Sequence, residues 1–114
     1  MEYEKNTIND MKSYLASEFY MDAEEVTEML EIFFESMNEL TAKAEQELAE
    51  SNGQLLSSTG HAIKGSSANI NATGISQLGL VLEQSGKEND FNQCSEAITA
   101  LKQAIAELQS EFQT

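Results

Sequence analysis

Reactive side chains are few in this sequence, and the most telling ones gather in one place. It has a single histidine, His61, and a single cysteine, Cys94. His61 is followed at i+3 by Lys64 and at i+4 by Gly65, a spacing that stacks all three on one side of a helix. A neutral imidazole nitrogen is a nucleophile near neutral pH, since its ordinary pKa is about 6.5. A phosphoryl group placed on Nε2 would bring negative charge that the Lys64 ammonium could partly offset. Glycine inside a helix costs about 1 kcal/mol relative to alanine, so Gly65 needs a reason. Clearance for another protein closing over the imidazole supplies one, and Ser57, Ser58 and Ala68 keep the same face free of bulk. The chemistry this arrangement suits is the passing of a group between proteins.

Other chemistries lack their parts. Ser57, Ser58, Ser66 and Ser67 lie near His61 in sequence, but none sits in the G-x-S-x-G elbow of a serine hydrolase. There is no P-loop and no kinase glycine-rich loop, so a phosphoryl group would have to come from a protein rather than from ATP. No D-x-D-x-D-G loop is present for a hard cation, and the plentiful acids read as solvated helix faces. Cys94 has no second thiol for a disulfide or a thiolate metal site, which suits a reducing cytosol. Twenty Asp and Glu against six Lys, with no Arg, give a formal charge of -14. That balance excludes nucleic-acid and anionic-membrane binding, both of which need clustered basic residues. The segment MEYEKNTIND is acidic, unlike a secretory signal, and no apolar run approaches the roughly 18 residues of a membrane span. A cytoplasmic protein is expected.

The elements that position His61 should all be helices. Residues 1–114 suffice for one domain; proline is absent, and Glu, Leu, Ala, Gln and Met dominate. A short helix is predicted over about residues 6–19, with Ile8, Met11, Tyr14 or Leu15, and Phe19 near helical spacing. Asp22 with Glu25 forms a capping-box pattern that opens a long helix running to about Ser51. Its apolar stripe is Val26, Leu30, Phe33, Met37, Leu40, Ala44 and Leu48. A third helix spans about 54–70, with Leu56, Thr59, Ile63, Ser66 and Ile70 inward. Asn71 to Gly74 break it, Thr73 being placed to cap the fourth helix, about 74–87. The last helix covers about 91–112. Amphipathic helices with short connections bury their stripes only against each other, so the expected fold is all-α. It is an antiparallel up-and-down four-helix bundle over about 22–112, with an additional short N-terminal helix. At 100° per residue, His61 points about 160° away from the centre of its helix's apolar stripe. The imidazole therefore faces outward, with Gly65, whereas Gly60 suits close packing against a neighbouring helix.

The stretch from His61 to Ile70, HAIKGSSANI, resembles the HxLKGSSANL signature of the histidine-containing phosphotransfer (HPt) domain family. The resemblance extends over about residues 20–112, through FFESMNEL on the preceding helix and Leu82-Glu83 after it. It implies a four-helix bundle whose histidine shuttles a phosphoryl group between aspartates of receiver domains in a two-component phosphorelay. It further implies His61 as phosphoacceptor, Lys64 as charge partner and Gly65 as clearance residue. Glu83, 22 residues after His61, stands where some members hold a Glu or Gln that hydrogen-bonds the imidazole. The sequence departs from the family at Asn71, where Gly is usual, and Asn accepts the same backbone region. The implied partners are receiver domains of hybrid sensor kinases and response regulators. The chain is expected to be a monomer with no cofactor of its own, the receiver supplying Mg²⁺. Partner docking is expected at Ser57, Ser58 and Ala68 and, on the second helix, around Met37. Two other readings share the scaffold: a phosphorylation-independent adaptor that docks receivers, and the phosphotransfer module of a chemotaxis-type or hybrid sensor kinase.

Overall fold

The computed structural model describes residues 1–114 and contains five α-helices and no strand. They are α1 (Ile8–Glu18), α2 (Ala23–Ala49), α3 (Gly53–Asn69), α4 (Thr73–Lys87) and α5 (Phe91–Phe112). Most start where a short polar side chain can accept an orphan amide of the first turn. Asp22 and Glu25 form a complete capping box on α2, the Asp22 carboxylate accepting from Glu25 N at 2.8 Å. Asn52 caps α3 through Leu55 N, and Asp90 caps α5 through Gln93 N. Thr73 does not cap α4 as expected, because it is already the first helical residue and Ala72 holds the cap position. The chain ahead of α1 makes good the loss: Asn6 Oδ1 accepts from Gly74 N at 2.8 Å, and the Thr73 hydroxyl bonds Glu4 and Asn6. The turns between helices are tightened by left-handed residues, among them Asn71 with φ 62°, where the family usually has Gly.

Twenty-four buried apolar residues form one core to which all five helices contribute. Phe34 is fully buried, packed against Phe33 and Phe112, burial worth about 1.5–3 kcal/mol for such a side chain. Ile8, Met11 and Leu15 tie α1 to this core, but Phe19, expected inside, lies past the helix end and is half exposed. The contacts along α2 run in opposite order to those along its neighbours. Met37 meets Ser67 and Glu47 meets Thr59 on α3, while Asn38 meets Gln109 and Glu45 meets Lys102 on α5. On α3 the buried line is Leu56, Thr59, Gly60, Ile63 and Ser67. Ser66, expected inward, is exposed: α3 packs against both α2 and α4, which turns its buried face toward Gly60 and Ser67.

Candidate functional site

Glycine brings α3 and α4 together. A methyl group added at Gly60 would strike the backbone nitrogen of Glu83; one at Gly79 would sit 2.7 Å from Lys64 N, and one at Gly86 2.6 Å from Ser57 N. The two chains thus touch backbone to backbone, in antiparallel order, where any larger residue would hold them apart. Gly60 fills the packing role its direction suggested. Gly53, Gly79 and Gly86 were not read from the sequence, although the pairs 53/60 and 79/86 each repeat at seven residues, two turns of one helix face.

This close approach sets a carboxylate from α4 beneath the exposed face of α3. Glu83 is nearly buried, its side chain 12% exposed, and His61 Nδ1 lies 3.0 Å from its Oε2. An ionised carboxylate only accepts, so Nδ1 carries the proton, and in the neutral ring Nε2 is then the nitrogen with the lone pair. The ring itself is 68% exposed, and Nε2 makes no hydrogen bond. Lys64 Nζ donates to the other oxygen, Oε1, at 2.7 Å. Lys87 Nζ, one turn further along α4, stands 4.0 Å from Oε2. Each carboxylate oxygen therefore faces positive or proton-bearing groups, which is what a buried charge requires.

The Lys64 hydrogen bond is the main cause that holds the Glu83 carboxyl below the usual carboxylate range; burial opposes it, and the bond from His61 reinforces it. A folded-state pKa below the unfolded one gives stability that is present above the unfolded value and lost as pH falls through the folded value. The advantage of the wild type over Glu83→Gln, measured by urea unfolding, is accordingly expected to be full near neutrality. It should shrink only as pH drops below the ordinary glutamate range and through the lowered folded-state value. An advantage that persists unchanged into strong acid would show that the ionised carboxylate is not its source.

The other expected site residues fall out as follows. Gly65 is exposed, and a side chain there would meet nothing within 4 Å. Ser58 and Ala68 are exposed and Ser57 is half-buried, all on the His61 side of α3. Met37 must be corrected: it is fully buried, its sulfur accepting from Ser67 Oγ, so it offers no surface to a partner. Its place in the apolar stripe of α2, which the sequence reading also recognised, outweighs its nearness to α3. What the sequence did not reveal is that Lys64 is bonded to Glu83 and that Lys87 stands beside the same carboxylate; the i+4 spacing of Glu83 and Lys87 was the available signal. No group of three or more His, Cys, Asp or Glu comes together as a metal site, and no helix is long and apolar enough to cross a membrane. Cys94 is buried, and burial pushes its thiol up, away from the reactive thiolate.

A nearly buried carboxylate orienting an exposed imidazole is compatible with a histidine that carries a group, and the comparison with protein families gives the class. The Hpt domain family model matches residues 28–111. The chain belongs to the Hpt domain family, whose members carry phosphoryl groups on histidine in phosphorelays and interact with receiver domains. No curated protein and no solved structure gives a significant match.

Proposed function

We propose that this chain accepts a phosphoryl group on His61 Nε2 from the phosphoaspartate of one receiver domain and delivers it to the aspartate of another. The observation that carries the reading is the bond from His61 Nδ1 to Glu83, which leaves the outward nitrogen as the nucleophile. In the transfer, the Nε2 lone pair attacks phosphorus in line, the N–P bond forms, and the P–O bond to the aspartate breaks with its electrons on the carboxylate. The Nδ1 proton stays where it is. The phosphorylated ring is then an imidazolium, and Glu83 is its counter-ion. The receiver's Mg²⁺ would neutralise charge on its own side, and this chain supplies nucleophile and geometry without an ATP site or cofactor of its own. The domain acts as a monomer, residues 1–114 making one antiparallel up-and-down bundle, in the cytoplasm where receivers work. His61, Lys64, Gly65 and Glu83 form the site; Ser57, Ser58 and Ala68 border the surface the receiver covers.

The reading is tested by incubating the chain with radiolabelled phosphoreceiver and asking for acid-labile, alkali-stable label on His61. Failure of His61 to take label would favour a docking adaptor. Gly65 supplies a finer test. Because its Cβ position opens into space, Gly65→Gln should leave thermal unfolding unchanged or raise it slightly, glutamine being the better helix former. Transfer should nevertheless slow by about tenfold or more, since small displacements of reacting groups are that costly. Unchanged transfer rates would remove clearance as the reason for this glycine.

A further inference from the structure

The family resemblance makes Lys64 the cation that meets the phosphoryl group, but in this structure Lys64 is already engaged. Its ammonium is 2.7 Å from Glu83 Oε1, and its side chain is one-third exposed. Seen from outside, Lys64 and Glu83 largely cancel. Lys87 differs in each respect. It is 68% exposed, makes no hydrogen bond, and approaches at 4.0 Å the same oxygen that holds His61 Nδ1, so one atom separates the ammonium from the imidazole. A four-carbon stem lets that ammonium swing. Lys87 also lines an open cleft with Gln54, Ser57, Ser58, Gly86 and Asn89, a set with neither an apolar side chain nor a carboxylate. Ser57 and Ser58 precede His61 by one helical turn, so the cleft adjoins the imidazole. In a chain of charge -14, hydroxyls, amides and one ammonium held no closer than 4.0 Å to Glu83 are an unusual surface beside the nucleophile.

We propose that Lys87, with the polar cleft between the start of α3 and the end of α4, receives the phosphoryl group borne by His61, while Lys64 is a positioning residue that acts through Glu83. The proposal rests on His61 being the phosphoacceptor, and the division of labour follows from electrostatics. Phosphorylation adds about -1.5 to -2 charges next to the Glu83 carboxylate. An ammonium held only at 4.0 Å, with no hydrogen bond, can move onto the new charge, whereas Lys64 would first have to give up its 2.7 Å bond to Glu83. Lys64 instead keeps Glu83 ionised and aimed, which keeps the proton on Nδ1.

The test uses the whole chain with the His61 phosphoryl group installed in two ways, by a phosphorylated receiver domain and by phosphoramidate with no protein donor. In Lys87→Gln, acceptance from the receiver should slow by about tenfold, the effect of one close charge pair. The phosphorus resonance of the loaded protein should titrate at higher pH than in the wild type, and the ¹⁵N shifts of unloaded His61 should stay unchanged. Lys87→Arg should restore most of the rate. Lys64→Gln should show the opposite pattern, with altered ¹⁵N shifts as the Nδ1–H form loses its hold. The inference is overturned if Lys87→Gln matches the wild type in rate and phosphorus titration, if Lys87→Arg is no better than Lys87→Gln, or if Lys64→Gln leaves the ¹⁵N shifts alone. Absence of label on wild-type His61 with either donor would instead sink the assignment of the phosphoacceptor.

Discussion

Phosphoryl acceptance should be lost in His61→Gln, by a factor on the order of 10⁴ or more, the scale expected when a nucleophile is removed outright. No other imidazole exists to replace it, and glutamine's amide nitrogen has no available lone pair. The fold should not notice: the His61 side chain is 68% exposed and its one hydrogen bond is to Glu83. Glutamine can still donate to that carboxylate, so helical circular dichroism and the unfolding midpoint should remain within error of the wild type. Retention of normal acceptance by this variant would place the acceptor elsewhere and undo the proposed function. Loss of acceptance together with loss of helix would show that the exposed ring has a structural role the contacts do not account for.

Gly60→Ala carries the second large effect, and it acts in the reverse order, on the fold first and the chemistry through it. The added methyl would meet Glu83 N, Gly79 O and Glu83 Cα, all backbone atoms that cannot rotate aside. Alanine normally favours a helix over glycine by about 1 kcal/mol, yet overpacking of a tight interface costs about 1–3 kcal/mol. The net expectation is destabilisation, read as a lower urea midpoint, with α3 and α4 forced apart. Separation stretches the His61–Glu83 and Lys64–Glu83 bonds, so transfer should slow even in the folded fraction. Gly65→Ala is the control: on the same helix with open space around it, it should stabilise. If both alanines stabilise equally, the close helix contact is not what holds the site.

How much of this was legible in the sequence depends on which kind of signal each feature leaves. Capping and amphipathic spacing are local, and they set the five helices and most of their ends to within a few residues; the Asp22–Glu25 box and the outward direction of His61 are examples. Thr73 misled because a Thr just before a glycine suits a cap equally well at two adjacent positions, and the deciding contact comes from Glu4 and Asn6 far upstream. Ser66 and Ser67 are chemically identical, so only the extra packing partner of α3 decides which turns inward. Met37 carried two readings, core stripe and docking contact, and periodicity was the better guide. The site divides in the same way. His61, Lys64 and Gly65 announce themselves by spacing on one helix, and Glu83 came only through family resemblance. The bonds of His61 and Lys64 to Glu83, and the glycine contact that makes them possible, depend on two helices meeting, whereas Lys87 stands beside Glu83 by i+4 spacing within α4.

The glycine contact also bears on the direction of traffic. Imidazole, carboxylate and ammonium are in place before any partner arrives, and backbone seated on backbone leaves α3 and α4 little room to shift between a loaded and an unloaded state. With any one receiver, the proposed loading and its reversal would cross the same barrier from opposite sides. If the chain relays as proposed, the sense of net flow is set outside this domain, by the relative phosphoryl-transfer potentials and concentrations of its receivers.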